Sequence, residues 1–273
     1  MSPEKTEKLQ KHLADLAYGS RREMEEWIRA GRVEVNGEVA HLGQRISAED
    51  RIRVDGSPVK GKRTDWARVL VYNKPAGEIC TRRDPEGRKT VFDGLPRLQR
   101  GRWIAIGRLD LQTSGLLLFT NDGALADRMM RPATGLDREY AVRVNGRLSE
   151  AQQRRLTDGV EVDGELLQFS DLQYYDGRGT NHWYHVVLME GRNREIRRLF
   201  ESVGLSVSRL KRVRFGPVTL PSTLARGRFA EFGHEDMKTL YGLLKLPLRA
   251  RPAKGRGGRR TSFLLPYPDL PIA

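Results

Sequence analysis

The sequence predicts an α+β protein of two domains, and three observations support this fold class. The chain has 273 residues, of which 38% are apolar, and this is enough for a buried core in one or two domains. Apolar residues recur at helical spacing in some segments and alternate with polar residues in others. A short basic segment with turn residues separates an N-terminal part from a longer remainder. We therefore place a small domain at 1–59, a linker at 60–67, a large domain at 68–247 and a basic tail at 248–273.

The net charge of +14 indicates an acidic partner and makes nucleic acid the first candidate. Residues 1–60 contain 11 basic and 11 acidic residues, whereas residues 61–247 have a net charge of +9 and the tail has +5. The alternative is a generally basic surface without a specific ligand.

Several classes of protein are excluded or disfavoured by composition. No run approaches 18 apolar residues, so a membrane span is excluded, and the N-terminus has no apolar signal segment. Cys80, the single cysteine, cannot form an internal disulfide, and the five histidines form no compact metal triad. We expect a cytoplasmic protein.

The first sixty residues predict two short helices and a hairpin. Three leucines at helical spacing predict the first helix: Leu9, Leu13 and Leu16. Ser20 and Glu23 have the spacing of a capping box that begins a second helix, and Gly31 ends it. Alternating residues around Asn36 and Gly37 predict the hairpin.

These elements, with the sequence KLQKHLADLAYGSRREMEEWIRAGRVEVNG, resemble the S4 RNA-binding domain over about residues 5–58. In that family, two helices present basic side chains to structured RNA. The resemblance implies six RNA contacts: Lys8, Lys11, Ser20, Arg21, Arg22 and Arg29. A solvated helix face is the alternative for each residue. Because this part has no net charge, RNA binding would require its charges to be polarised onto one side.

The large domain begins with apolar or alternating runs that predict strands: Val69–Tyr72, Trp103–Ile106, Leu116–Phe119 and Tyr140–Val144. Between the second and third runs, a loop bracketed by glycines carries Arg108 and Asp110. Spacing alone favours a turn or an ion pair for Asp110 over catalysis. Tyr140 shares a strand face with two valines, so spacing alone favours core packing for its ring.

A helix is predicted over Glu190–Glu201, with two stripes of residues. The apolar stripe predicts a core face: Ile196, Leu199, Phe200 and Val203. The other stripe contains Arg194, Arg197 and Arg198, for which a solvated face and an anion-binding face remain open. The following residues, Ser208–Gly216, predict a strand with one basic side.

Three motifs in this order behind an S4-like module resemble the RsuA-type ribosomal RNA pseudouridine synthases: GRLDLQTSGLLLFTNDG, DREYAVRV and EGRNREIRRLFE. Three others point more closely to the RluB type, which acts on a uridine of 23S ribosomal RNA: VLVYNKPAG, CTRRDPEGRKTVFDGLP and VSRLKRVRFG. The resemblance covers about residues 5–235. It implies a catalytic domain with a mixed, largely antiparallel β-sheet flanked by helices. It also implies a monomer that acts on large-subunit ribosomal RNA or an assembly intermediate, without metal or other cofactor.

The implied reaction converts a uridine into its C-glycoside isomer, and the target base must be flipped out of the RNA stack. By resemblance, Asp110 is the catalytic aspartate, Arg197 pairs with it, and Tyr140 packs on the target base. Asp110 could attack the sugar, attack the base or remove a sugar proton. Arg108 is implied to hold the flipped nucleotide. The remaining candidates are RNA contacts rather than catalysts: Lys74, Arg194, Arg198, Lys211 and Arg212.

Two other functions are weighed against this one. A non-catalytic ribosome assembly factor could bind ribosomal RNA through the same surfaces, but the intact Asp110, Tyr140 and Arg197 argue against it. A base-removing glycosylase is disfavoured because glycoside hydrolysis usually needs two carboxylates, and GRLD supplies one.

The tail lies outside the resemblance. Residues 249–260 are rich in Gly, Pro and Arg, which predicts disorder. The apolar end, Phe263–Ala273, is a candidate for docking on the protein.

Overall fold

The computed structural model describes residues 6–16, 18–60, 66–99, 101–249 and 262–270. The chain divides into two compact units. The first unit contains the described residues up to Ala67 and those of Arg97–Trp103. The second contains Arg68–Pro96 and the described residues from Ile104 onward. The segment 97–103 therefore belongs to the first unit, although the sequence placed it in the large domain.

The first unit contains two helices and two small antiparallel sheets. In chain order its elements are β1 (Glu7–Lys8), α1 (Leu9–Asp15), α2 (Arg21–Arg29), β2 (Val33–Val35), β3 (Glu38–Val39), β4 (Arg45–Ile46), β5 (Ile52–Val54) and β6 (Ser57–Pro58). One sheet has the order β3-β2-β5-β6, and β1 pairs with β4. The apolar faces of the helices and of β2 and β5 form one buried core.

Local sequence signals account for the turns of this unit. The Ser20 hydroxyl accepts a hydrogen bond from the Glu23 amide (3.0 Å), and the Glu23 carboxylate accepts one from the Ser20 amide (2.5 Å). The predicted capping box is therefore confirmed. Asn36 and Gly37 have φ values of 55° and 91°, as a two-residue hairpin turn requires, which confirms the predicted hairpin between β2 and β3.

The second unit is built on a nine-stranded sheet. Its elements are β7 (Val69–Lys74), β8 (Ile104–Ile106), β9 (Ser114–Thr120), α3 (Gly123–Met130), β10 (Arg138–Asn145), α4 (Glu150–Asp158), β11 (Val160–Val162), β12 (Glu165–Leu167), β13 (Asp171–Arg178), β14 (Asn181–Leu188), α5 (Glu195–Glu201), β15 (Val207–Phe215), β16 (Val218–Thr219), β17 (Phe229–Glu231) and α6 (His234–Leu243). The sheet has the order β13-β14-β10-β15-β9-β7-β17, with β16 on β15 and β8 on β9. Within the described ranges, no helix is long and apolar enough to cross a membrane.

The sheet is antiparallel except where β15 runs parallel to β9. The predicted mixed, largely antiparallel sheet is therefore confirmed. At the parallel junction Gly115 pairs with Arg212, and a Cβ on Gly115 would lie 2.2 Å from the Arg212 carbonyl oxygen. Gly115 also has a φ of +101°. A side chain here would force the two strands apart, immediately after the loop that carries Asp110.

The helix predicted over Glu190–Glu201 is shorter in the structure. It begins at Glu195, because Arg194 adopts a left-handed conformation with a φ of 49° at the N-cap. The predicted basic side of β15 is present, because Arg209, Lys211 and Arg214 pair with alternate residues of β10 and so share one face. Arg212 is buried on the other face, and Arg214 is engaged by hydrogen bonds to Asp137 and Glu139.

The apolar end of the tail is docked on the second unit. Phe263 stacks on Phe232 with 5.4 Å between ring centroids, and its carbonyl accepts a hydrogen bond from the Thr219 amide (2.8 Å). The Tyr267 hydroxyl donates a hydrogen bond to the Asp137 carboxylate (2.7 Å). The predicted docking of the apolar end is therefore confirmed for its described residues, whereas residues 250–261, on which nearly all of the prediction of disorder falls, lie outside the described residues.

Candidate active site

A cleft of about 780 Å³ lies in the second unit, beside the loop that precedes β9. Its walls come from that loop, from β10 and β15, and from the non-helical segment before α5. The structure brings five of the sequence-predicted residues together here: Arg108, Asp110, Tyr140, Arg194 and Arg212.

Asp110 is exposed in a tight turn that the Thr113 amide closes by donating to the Asp110 carbonyl (3.0 Å). Its carboxylate has no hydrogen bond or ion pair with any described residue. The interpretation of Asp110 as an ion-pair partner is therefore not supported, whereas the turn is present. A turn that exposes an unpaired carboxylate in a cleft can present it to a ligand.

Lys74 holds this turn in place from beneath. Its side chain is fully buried, and its ammonium donates to the carbonyls of Pro75, Asp110, Leu111 and Thr113 at 2.8–3.3 Å. Burial lowers the pKa of Lys74, while the Cys80, Glu78 and Asp110 charges oppose that shift. The prediction that Lys74 contacts RNA is wrong, because a cation without exposed surface cannot reach a phosphate. Lys74 is a positioning residue for the Asp110 loop.

Tyr140 lies on β10, where it pairs with Arg212 of β15. It is 8% exposed and lines the cleft, while Val142 and Val144 on the same strand face are completely buried. Tyr140 therefore both packs against the core and forms part of the cleft wall, because this face of β10 runs from the core into the cleft.

Arg212 contributes a donor that the protein leaves unpaired. Its Nε donates to the Leu116 carbonyl (2.8 Å), and its guanidinium lies 5.2 Å from the centre of the Phe215 ring. The Nη2 atom is buried and has no hydrogen-bond partner in the part of the chain that the structure describes, although the residue lines the cleft. Because an unmade hydrogen bond of a buried charged donor is costly, an acceptor on a bound ligand would stabilise this arrangement.

Arg138 is a cleft residue that sequence reasoning missed. Its Nη1 donates to the carbonyls of Leu136 (3.0 Å) and Met189 (2.7 Å), and its guanidinium lies 4.8 Å from the centre of the Phe215 ring. Burial lowers the pKa of Arg138. Its position two residues before Tyr140, on the same face of β10, is the signal that could have identified it.

Arg197 lies half-buried on α5, outside the residues that line the cleft. Its Nη1 donates to the Val207 carbonyl (2.8 Å). Burial and the Arg194 charge lower the pKa of Arg197, and the Asp110 charge opposes them. In the described part of the chain no hydrogen bond or ion pair joins Arg197 to Asp110, so their attraction acts through space.

The other two arginines of the predicted basic stripe separate. Arg194 is exposed in the cleft wall, 4.0 Å from Glu201. Arg198 donates to Asp163 (3.2 Å) and Glu165 (2.6 Å) of the β11–β12 hairpin. The predicted RNA contact at Arg198 is therefore not supported, because the side chain ties α5 to this hairpin.

Two further carboxylates line the cleft, Glu190 and Glu195. Glu195 is buried and accepts a hydrogen bond from the Arg192 amide (3.0 Å). Burial raises its pKa, against the opposing effects of this hydrogen bond and the Arg192 charge. The cleft therefore holds carboxylates besides the one that the GRLD loop supplies, so the number of carboxylates does not by itself disfavour a glycosylase.

The six candidate contacts of the first unit are distributed unevenly. Four are exposed: Lys8, Arg21, Arg22 and Arg29. Lys11 is instead engaged by Glu7 (3.1 Å) and Asp15 (3.8 Å), and the Ser20 hydroxyl is occupied by the helix cap. Lys211, a candidate of the second unit, lies outside the cleft lining. In the regions that the structure describes, no three His, Cys, Asp or Glu side chains are placed to hold a metal ion.

The fold and this cleft define a class of RNA-modifying enzyme. The sequence profile described as RNA pseudouridylate synthase matches residues 68–202, and that of the S4 domain matches residues 7–52. The chain belongs to the RNA pseudouridylate synthase family, as its motifs predicted.

Two curated relatives carry the name ribosomal large subunit pseudouridine synthase B. The one from Pseudomonas aeruginosa is 56% identical over 256 residues, which cover 92% of this chain and 66% of the relative. The one from Salmonella typhi is 52% identical over 246 residues, covering 89% and 84%. A crystal structure of a pseudouridylate synthase shares the fold, with a TM-score of 0.60 and 24% identity over 85% of this chain and 99% of the other.

Proposed function

We propose that this chain isomerises a uridine of large-subunit ribosomal RNA to pseudouridine. The family supplies the reaction, and the names of its relatives supply the substrate class. The observation that carries the proposal is the unpaired, exposed carboxylate of Asp110 in a cleft of the family fold. The reaction takes place in the cytoplasm on a monomeric enzyme, without metal or other cofactor.

The reaction is balanced without any other reactant. The bond between C1′ of the sugar and N1 of uracil breaks, the base rotates, and a bond forms between C1′ and C5. The hydrogen on C5 leaves as a proton, and N1 gains a proton. Asp110 begins this sequence by attacking the sugar, attacking the base or removing a sugar proton, all of which a carboxylate can do.

Asp110 must be ionised for each of these first steps. A nearby positive charge favours the ionised form of a carboxylate. Arg197 is the cation that the family resemblance pairs with Asp110, and the two charges attract each other through space. The role of Arg197 is therefore electrostatic, and its hydrogen bond to the Val207 carbonyl fixes its position.

The flipped uridine is held by a ring and by cations. Tyr140 presents its ring in the cleft wall, where stacking on a base contributes roughly 1–3 kcal/mol. The unpaired Nη2 of Arg212 donates to a carbonyl or phosphate oxygen of the nucleotide. Arg108 and Arg194, both exposed in the same cleft, contact the adjoining phosphates.

The exposed cations of the first unit contact structured RNA next to the target: Lys8, Arg21, Arg22 and Arg29. This role is supported by the S4 match over residues 7–52. The unit thereby selects the substrate, and the second unit performs the chemistry.

The test uses 23S ribosomal RNA transcribed with tritium at C5 of uridine, because formation of the C1′–C5 bond releases this tritium. Asp110→Asn should abolish release and leave the Kd for the transcript within a few-fold of the original chain. Asp158→Asn, which changes an exposed aspartate at the end of α4, is the matched control and should release tritium normally. Release by Asp110→Asn would refute the assignment of Asp110. RNA binding by the original chain without release would favour an assembly factor.

A further inference from the structure

The sheet face opposite the cleft carries a row of aromatic and basic side chains. Neighbouring side chains along a strand point to opposite faces, and directly paired residues share a face. Tyr140 and Arg212 line the cleft, so Arg143, Arg209 and Lys211 lie on the other face. The strand register adds Trp183 and His185 of β14 to that face: Arg143 pairs with Trp183 and Arg209, and Ala141 pairs with His185 and Lys211. We call this surface the back face.

The aromatic part of the back face lies on β13 and β14. Tyr175 is 73% exposed, and its ring centre lies 5.3 Å from that of His185. Trp183 is half-buried, with the Arg143 guanidinium 5.9 Å from its ring centre. Exposed rings beside cations resemble the surfaces on which single-stranded nucleic acids stack their bases.

The basic part consists of Arg143, Arg209 and Lys211 of β10 and β15, none of which has an ion pair with a described acidic residue. Arg209 is exposed and makes no hydrogen bond or ion pair with any described residue. Arg143 donates to the neutral hydroxyl of Ser208 (2.9 Å). Lys211 also has no carboxylate partner among the described residues, and the charge of Arg226 acts on it. Like charges gathered without counter-charges favour binding of a polyanion.

The acidic residues of the same face do not neutralise these cations. Glu139 accepts hydrogen bonds from His185 (2.6 Å) and from Arg214 (2.9 Å). Asp171 and Asp176 lie on β13, the outer strand, on the far side of β14 from β10 and β15. Positive charge is therefore concentrated on β10 and β15, next to the rings of β14.

We propose that the back face binds a single-stranded stretch of the substrate RNA, separately from the nucleotide in the cleft. The phosphates lie along Arg143, Arg209 and Lys211, and bases stack on Trp183 and Tyr175. This inference rests on the proposed function in one respect, which is that the partner is taken to be RNA. The charge and the rings favour RNA over a second copy of this basic chain.

The test measures binding of a fluorescein-labelled single-stranded oligouridylate to the full chain by fluorescence anisotropy, in the Asp110→Asn background so that no turnover occurs. Arg209→Ala with Lys211→Ala should raise the Kd about tenfold and reduce the slope of log Kd against log salt by about 1.4. The matched control is Arg154→Ala with Arg155→Ala, which removes the same charge from the exposed surface of α4 and should leave both quantities unchanged.

Trp183 supplies an independent test of stacking. Trp183→Ala should weaken oligouridylate binding several-fold, and Trp183→Phe should restore most of it because a ring is retained. An unchanged Kd in the Arg209 and Lys211 double variant would overturn the proposal. The proposal would also be overturned if analytical ultracentrifugation showed that the original chain is a dimer and that the Arg209 and Lys211 double variant is a monomer, because the back face would then join two copies of the chain. Weakened binding by these variants, together with a complete lack of tritium release by the original chain, would sink the proposed function but leave the back face as an RNA surface.

Discussion

The two units of this protein use basic residues in opposite ways. In the first unit no described cation is fully buried, and several meet nearby acids, as Lys11 meets Glu7 and Asp15. The second unit buries Lys74 and Arg212 against backbone carbonyls. Buried cations are therefore part of the scaffold of the second unit, which also exposes others such as Arg209, whereas every described cation of the first unit keeps some exposed surface.

This difference shows why net charge is a poor guide to an RNA surface. Residues 61–247 carry a net charge of +9, and residues 1–60 carry none. Yet Lys74 contributes to the larger value without being reachable, and Arg198 and Arg214 are engaged by carboxylates. An RNA surface is defined by the cations that are exposed and unpaired, wherever the net charge lies.

The largest effect is expected from Lys74→Met, which tests whether a buried cation is part of the scaffold. It leaves four backbone carbonyls without their shared donor, so the free energy of unfolding should fall by roughly 3–5 kcal/mol. Thermal and urea unfolding measure this loss. Lys238→Met, at an exposed site on α6, is the control and should change little. A loss below about 1 kcal/mol would contradict the scaffold role.

The next effect concerns Arg214, which donates to Asp137 and Glu139. Burial alone would raise the pKa of both carboxyls. Hydrogen bonds, chiefly those from His185, Arg214 and Tyr267, outweigh it, so the pKa of each carboxyl is lowered. Their stabilising contribution is present above the unfolded pKa of about 4 and is lost as the pH falls through the folded pKa.

Arg214→Met should therefore cost roughly 2–3 kcal/mol at pH 7, and the difference from the original chain should shrink towards pH 3. Unfolding free energies measured across this pH range provide the check. Arg154→Met, on the exposed surface of α4, should show no such dependence on pH. A difference that stays constant with pH would show that packing, rather than the carboxyls, accounts for the loss.

A substitution of Glu195 should change the free energy of unfolding by a smaller amount and in the opposite direction, as a gain. Burial raises the pKa of its carboxyl, so its contribution is fully present below the unfolded pKa and is lost as the pH rises through the folded pKa. Glu195→Gln keeps an acceptor for the Arg192 amide and should raise stability by up to about 1 kcal/mol at pH 8, with no gain at pH 4. A gain at pH 4 equal to that at pH 8 would argue against burial of the charge.

The smallest change in stability is expected in the first unit. Arg21→Ala with Arg22→Ala should leave the Tm unchanged, because both side chains are exposed. The Kd for 23S ribosomal RNA should nevertheless rise, and its salt dependence should weaken. Glu34→Gln with Glu38→Gln, which changes the β2–β3 hairpin, serves as the control for altered charge in the same unit. Loss of stability without loss of affinity would reverse the comparison between the units.

Much of the fold could be predicted because its signals are local. The capping box at Ser20 and the hairpin at Asn36 depend on residues within a few positions of each other. The start of α5 could not be read in this way, since the apolar stripe continues the pattern while Arg194 adopts a left-handed conformation. Docking of 262–270 likewise depends on distant partners such as Phe232 and Asp137.

The candidate site divides along the same line. The motifs identified Asp110, Tyr140 and Arg212, and the structure places all three in one cleft. The residues whose roles the sequence misassigned or missed are ones whose role depends on burial. Nothing in the sequence distinguishes Lys74 and Glu195 from charged residues at the surface. The packing shows that Lys74 supports the Asp110 loop and that Glu195 lies buried in the cleft wall.

The pairing of β17 with β7 has a consequence for synthesis of the chain. Phe229 pairs with Tyr72, so the edge of the large sheet cannot close until nearly the whole chain has left the ribosome. The strands β2, β3, β5 and β6, in contrast, pair with one another within a few tens of residues. Because domains fold as units during synthesis, we expect the S4 unit to gain much of its structure while the catalytic sheet is still incomplete. A nascent chain would then be able to hold RNA before it can modify it.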